Sequence, residues 1–288
     1  MHSLQKKEKV QQLAMSNIPI IIMAAGLSSR MKDSYTNSKI SKDILIQSNQ
    51  RVKGFIQISD DKEPIIYYII QNCINAGIKD FYFILGKNSE KFQDYLKELE
   101  NKLSITTNFI FQDFYGKSKP AGTSDAIFQA LNQYKSLKKT RFLVCNSDNI
   151  YSAKVIKLLI DEVEYPSMIA YDHRCLNFSD ERLSSFSILQ IKNNFLQKII
   201  EKPSLELLNN NKYQRFVSMN IFSFFGNQIY PYLEDCPINP DRGEKEIATA
   251  IQNMINDNKH IMKTFKVCEY VPDMTYKDDI IKIDNFLR

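Results

Sequence analysis

The 288-residue chain has no apolar run long enough to span a bilayer as a helix, so a membrane-spanning helix is excluded at the level of sequence. It has no internal repeat and no low-complexity tract, which excludes a solenoid. No Pro/Gly/Ser-rich stretch divides it, and its length therefore predicts one large domain over residues 18–288 rather than two small ones. Residues 1–17 are polar, rich in Lys and Gln, and lack the apolar segment of a signal peptide; they read as an N-terminal extension. The cysteines Cys73, Cys145, Cys175, Cys236 and Cys268 are odd in number and form no C-x-x-C pair. That spacing argues against a disulfide framework or a zinc site and predicts a reducing, cytoplasmic setting. The net charge of +5 is dispersed rather than gathered into a basic face, so no nucleic-acid partner is expected. Neither a P-loop G-x-x-x-x-G-K-[ST] nor a dinucleotide-binding G-x-G-x-x-G occurs.

What is present begins at Ile18–Met31, I-P-I-I-I-M-A-A-G-L-S-S-R-M. The short Ile-rich run predicts a buried strand. After it, the small residues Ala24, Ala25, Gly26, Ser28 and Ser29 let the backbone turn sharply and bring N–H groups close to a ligand, and Arg30 adds a planar cation. A phosphate chain suits that turn, although an ordinary strand-to-loop turn with a surface Arg is the plain alternative. Downstream the pattern alternates: a helix over Ile65–Ala76 closed by Gly77, a strand over Phe81–Leu85, a helix over Ser89–Leu99, a strand over Thr106–Gln112 and another over Arg141–Cys145. Such alternation predicts an α/β fold, whose ligands gather at the carboxyl ends of the strands. Asp148 lies just beyond one such end. Taken alone it could equally cap a helix beginning near Ser152.

These segments together resemble the sugar-phosphate nucleotidyltransferase family, in which a first strand runs into A-A-G-x-x-[ST]-R-[ML] and a Lys follows in K-x-[LMF]-[ILV]-x-[IV], here Lys53–Ile58 with a strand expected over Phe55–Ile58. The resemblance runs from Ile18 to about the end of the chain as ordered motifs. It implies a single Rossmann-like, three-layer α/β/α domain with a mixed, mostly parallel sheet. It also implies roles for particular residues. The loop Ala24, Ala25, Gly26, Leu27, Ser28 and Ser29 would wrap a triphosphate that Arg30 and Lys53 neutralise. Gln112 and the G-[TL]-x-x-A motif at Gly122 and Thr123 would meet the nucleobase, with Gly122 leaving room for a flat ring and Thr123 serving as base contact or plain helix cap. Asp148, in [NG]-x-D-[NDV], and Asp273, in the turn after a last core strand near Cys268–Thr275, would hold Mg²⁺. Asn149, the Glu201 and Lys202 of E-K-P, and Asn220 would face the sugar phosphate.

The chain departs from the family's pattern in three places. Ser187 and Asn220 stand where Gly is usual, which points to a smaller or differently hydroxylated acceptor, and the segment Lys32–Val52 is longer than usual. The expected reaction is condensation of a nucleoside triphosphate, UTP first, dTTP next and CTP third, with a sugar 1-phosphate, releasing pyrophosphate. Two alternatives stay open: a cytidylyltransferase acting on a non-sugar alcohol phosphate, and a non-catalytic nucleotide-sensing module of the same fold. No membrane partner is expected, and the sequence leaves open whether the chain forms a homo-oligomer.

Overall fold

The computed structural model describes residues 18–209 and 215–288, so the N-terminal extension lies outside the described residues. Strand β1 (Ile20–Met23) runs parallel to both β2 (Asp80–Leu85) and β4 (Arg141–Asn146), and β3 (Thr106–Phe111) extends the sheet beyond β2. β1, β2 and β4 are buried on both faces, and their side chains alternate between two cores. Ile20, Ile22, Phe83 and Cys145 point to one; Ile21, Ile84 and Val144 point to the other. Full burial of an Ile contributes about 1.5–3 kcal/mol, so this central run needs no polar face. The first core is covered by the helices Ile65–Asn75, Glu90–Leu103 and Ala153–Asp161, the second by Thr123–Gln133, Gly226–Glu234 and Ile247–Asp257.

The α/β class and the mixed sheet agree with expectation, but the sheet is not mostly parallel. β5 (Ser167–Asp172), β6 (Ser187–Lys192), β7 (Phe195–Ile200), β8 (Phe216–Ser218), β9 (Ile221–Phe225) and β10 (Lys263–Val267) complete a ten-stranded sheet in which six of the ten strand pairs are antiparallel. β5 also pairs with β10, which closes β5, β10, β7, β6 and β8 into a ring. The antiparallel majority arises in the second half of the chain. There, short turns such as Asn193–Asn194, both with positive φ, replace the helical crossovers that parallel strands need.

Three further expectations are corrected. Lys53–Phe55 is a turn of 3₁₀ helix, held by Phe55 N–H to Val52 O and Ile56 N–H to Lys53 O, and only Gln57 of the expected strand makes a bridge, to Pro64. The last strand is Lys263–Val267 rather than Cys268–Thr275, where a single bridge joins Asn149 to Asp273. Cys175 and Cys268 are joined as a disulfide across 93 positions, while Cys73, Cys145 and Cys236 are free and buried. Sequence spacing could not show that pairing, because the two cysteines meet only through the β5–β10 contact; the bridge removes the argument for a reducing compartment. No helix among the described residues is long and apolar enough to cross a membrane.

Gly226 opens the helix after β9 with its Cα against the Leu137–Lys138 backbone, and a Cβ there would run into the Leu137 carbonyl. Neither backbone can retreat cheaply, so Gly226→Ala is expected to cost about 1–3 kcal/mol. A thermal melt reads this as a lowered Tm; an unchanged Tm would mean that the helix can shift away from the Leu137 carbonyl at no cost.

Candidate active site

The parallel register of β1 with β4, Met23 opposite Asn146, brings the carboxyl ends of the two strands together. The loop Ala24–Ser28 leaves β1 there, and Ser28 takes a left-handed conformation (φ 60°) as the short helix Ser29–Asp33 begins. Ser28 Oγ accepts the Lys53 N–H at 3.1 Å, which ties the loop to the 3₁₀ turn. Gly54 lies against Ser147, where a Cβ would come within 3.0 Å of the Ser147 Cβ. With the turn held so close, Lys53 Nζ reaches Asp148 Oδ2 at 2.8 Å, their side chains 12% and 19% exposed. Arg30 is exposed on the short helix.

Asp148 is not a helix cap. The helix Ala153–Asp161 is capped by Ser152, whose side chain accepts the Val155 N–H, so the plain structural reading of Asp148 is already taken. The Asp148 carbonyl accepts Met274 N–H at 2.9 Å, and Ile150 N–H reaches Pro272 O at 3.0 Å, which fixes the Asp273 turn alongside. Asn149 Nδ2 donates to Asp273 Oδ1 at 2.8 Å. From there the contacts run on: Asn146 Nδ2 to Asn149 Oδ1, and the Tyr151 hydroxyl to the carbonyls of Met219 and Asn220. Ser28, Lys53, Asp148, Asn149, Asp273 and Asn220 therefore form one continuous network.

Asp273 does not present a free carboxylate to a cation. Its Oδ2 is paired with Arg182 at 2.7 Å and accepts the Thr275 hydroxyl at 2.7 Å, and its side chain is only 4% exposed. Arg182 also holds Asp279 at 2.7 Å. Burial alone would push the Asp279 carboxyl up, but hydrogen bonds from Arg182 and from the Tyr276 and Thr275 amides outweigh it and hold the group below the usual carboxylate range. Burial likewise disfavours the Arg182 charge, and the two carboxylates more than restore it. The Asp148 Oδ1 atom, by contrast, has no partner among the described residues. No group of three or more His, Cys, Asp and Glu side chains among the described residues could hold a metal alone.

The residues expected to meet a base cluster separately. Gln112 Nε2 donates to Asp125 Oδ2 at 3.1 Å, and Asp125 is further held by Tyr115 and Gln129. Gly122 (φ +114°) is required for a reason other than a flat ring: a Cβ would strike the backbone of Lys245, whose N–H and O pair with Ala121 and Ser124. Thr123 Oγ1 accepts the Ile247 N–H at 3.0 Å at the start of the helix Ile247–Asp257, so its capping serves a helix distant in sequence.

Among the residues expected to face a sugar phosphate, the Ser187 hydroxyl donates to the Glu201 carboxylate, and Arg242 faces Glu201 at 3.6 Å and also pairs with Glu246. Ser187 is buried and therefore orients Glu201 rather than narrowing a pocket. Lys202 is exposed beside it with φ 44°. Asn220 has φ 55° and separates β8 from β9. Asn is the side chain that best tolerates that conformation, which explains how it can stand where the family's pattern has Gly.

A family model described as "Nucleotidyl transferase" matches residues 48–287, well over half of the chain. The chain belongs to this nucleotidyl transferase family. The matched span begins after most of the long segment following the A-A-G loop, so the loop motif itself lies outside it. Among solved structures, this nucleotidyl transferase is similar to a UDP-glucose pyrophosphorylase complexed with UDP-glucose. That likeness has TM-score 0.70 and 16% identity, and covers 94% of this chain and 98% of the other. It is also similar to a protein from Bacillus anthracis assigned as a glucose-1-phosphate thymidylyltransferase, complexed with a sucrose (TM-score 0.66, 18% identity, covering 95% and 96%). At these identities the likeness shows the fold alone.

Sequence reasoning missed Arg182, Asp279, Tyr151, Arg242 and Glu246 in this nucleotidyl transferase. Each is a common residue type in an unremarkable context, and most of its partners are distant in sequence or were not themselves suspected. Replacing Arg182 by Met would leave Asp273 buried without a counter-charge and Asp279 with only the exposed Lys282, at an expected cost of about 3–5 kcal/mol. Because the folded Asp279 pKa lies below its unfolded value, this contribution is complete above about pH 4 and is lost as pH falls through the depressed folded value. Melts of wild type and Arg182→Met should differ most near neutrality and converge below about pH 4; a pH-independent difference would mean that lost packing, not charge, is being measured. Asn220→Gly, at its left-handed position, should leave Tm unchanged or slightly raised, and a clear fall in Tm would contradict this account of the site.

Proposed function

We propose that this nucleotidyl transferase joins a nucleoside triphosphate to a sugar 1-phosphate, with attack of the sugar-phosphate oxygen on the α-phosphorus and departure of pyrophosphate. The observation that carries the proposal is the Lys53–Asp148 pair beside the A-A-G-L-S-S-R loop, at the carboxyl ends of two parallel strands, with the capping role of Asp148 already filled by Ser152. The reaction needs no covalent protein nucleophile. It needs two anions brought together and their repulsion offset. Lys53 neutralises phosphate charge at the reacting centre, Arg30 and the loop amides of Ala24–Ser29 hold the departing pyrophosphate, and Lys202 holds the sugar phosphate, whose hydroxyls Glu201 accepts. Helices cover both faces of the mixed sheet, and we read that frame as Rossmann-like with α/β/α layering.

The donor set fits a hard divalent cation such as Mg²⁺, which uses one or two carboxylates together with substrate phosphate oxygens. Asp148 would hold it; Asp273, engaged by Arg182 and Thr275, would act on it only through Asn149. When bound, such an ion supplies positive charge at the reacting phosphates.

UTP or dTTP is favoured over CTP by the orientation of Gln112. Asp125 can only accept, so the Gln112 amide must turn its NH₂ toward it, and the carbonyl oxygen is left as the free group. An acceptor there suits the ring N–H of uracil or thymine, where cytosine has an unprotonated nitrogen. Asn149 and Asn220 complete the acceptor side through their links to Asp273 and Tyr151.

The test is pyrophosphate release from a panel of triphosphates and sugar 1-phosphates. Asp148→Asn is nearly isosteric and should abolish metal-dependent release while leaving the melt within a few degrees of wild type. Full activity in that variant would contradict the assignment. Lys53→Ala should lower catalytic efficiency at least about tenfold, the loss of one charge-assisted phosphate contact. A change below about twofold would remove Lys53 from the reacting centre.

A further inference from the structure

Among the described residues β3 is the one strand with a neighbour on a single side, since β5 pairs with β10 and closes the other end of the sheet. Its sequence, T-T-N-F-I-F, is uncharged, free of Pro and Gly, and rich in β-branched and aromatic side chains. Its register with β2 runs without a bulge, and Phe111 is 51% exposed at its end. The strand itself therefore carries none of the features that discourage a further strand from pairing with it.

The protection comes from two helices instead. Thr106 N–H and Gln112 N–H reach back to the Lys79 and Leu85 carbonyls, so the even-numbered positions face β2, and Thr107, Phe109, Phe111 and Asp113 turn their N–H and C=O groups outward. Gln133 Oε1 accepts the Phe111 N–H at 3.1 Å while its Nε2 donates to the Phe111 carbonyl at 2.9 Å. Gln129 does the same at Asp113, at 2.7 and 3.0 Å. Each glutamine thus exchanges the pair of bonds that a residue of an antiparallel neighbour would exchange. The two spacings match: four residues of helix rise about 6 Å, and two residues of strand about 6.6 Å. Farther along, Glu100 accepts the Thr107 N–H at 2.8 Å, Lys97 Nζ lies 3.5 Å from the Thr107 carbonyl, and the Tyr134 hydroxyl donates to the Phe109 carbonyl at 3.1 Å.

We infer that this ladder of side chains closes the β3 edge to a second copy of the chain, with Gln133 and Glu100 as its clasps. Two bare β3 edges would pair antiparallel about a two-fold axis, each offering the other the same row of donors and acceptors. The helix Thr123–Gln133 occupies that row in place of the second copy, and a homo-oligomer of the intact chain forms through some other surface. The seal is a property of the sheet and does not depend on the proposed reaction.

The test opens the edge in the full chain. Gln133 is exposed and Glu100 half-buried, so Glu100→Ala/Gln133→Ala should fold, and Gln133→Ala alone is the milder variant. Gln129 stays in place because it also holds Asp125. Light scattering over a concentration series should show the double variant rising to about twice the wild-type mass. Hydrogen exchange reads the edge itself: the Thr107 and Phe111 amides should exchange several-fold faster in the dilute double variant than in wild type, and slow again as it associates. In Gln133→Ala the faster exchange should be confined to Phe111. A mass equal to wild type across the series in both variants overturns the inference. So does association in which the Thr107 and Phe111 amides stay unprotected, since the copies would then meet through another surface.

Discussion

A lysine and an aspartate 95 positions apart, Lys53 and Asp148, set the geometry on which the rest of the site depends. Both are mostly buried, and neither charge could stay there alone without a desolvation cost that its partner offsets. Their contact requires the β1–β4 register, the Gly54–Ser147 approach and the hold of Ser28 on the Lys53 amide at the same time. The loop after β1, the 3₁₀ turn and the tip of β4 are therefore positioned as one unit. Ser152 caps the next helix, so Asp148 has no capping role there.

The second half of the chain serves a different end. Its strands turn back on themselves and close a ring through β5 and β10, which carries the Cys175–Cys268 bridge and the buried Arg182 pairs. These features fasten the Asp273 turn behind Asp148 without offering it to solvent. Glu201 and Lys202, the proposed acceptor residues, follow β7 of this ring, so the two substrates of the proposed reaction would be held by structurally distinct halves of one sheet.

Much of the first half was legible in the sequence because its signals are local. The Ile-rich β1, the small-residue loop, the Gly77 turn with φ +102° and the helix Ile65–Asn75 each follow from composition and period within a few residues. What was illegible depends on contacts distant in sequence. Gly122 reads as room for a ring, yet the chain needs it for the Lys245 backbone. Asp273 reads as a metal ligand until Arg182, 91 positions away, is found paired with it. The strand pattern around Val217–Phe225 gives no warning that Asn220 turns left-handed, and five scattered cysteines conceal a pair that only the β5–β10 contact brings together.

The central claim is that the α-phosphorus moves to the sugar phosphate while the outer two phosphates leave as a unit. The most direct measurement follows both ends of UTP, labelled separately at the α- and γ-phosphorus, incubated with glucose 1-phosphate and Mg²⁺. The account expects the α label in a sugar nucleotide and the γ label in pyrophosphate, in equal amounts and only when both substrates are present. Release of the γ label as orthophosphate, or of pyrophosphate without a sugar nucleotide, would contradict it.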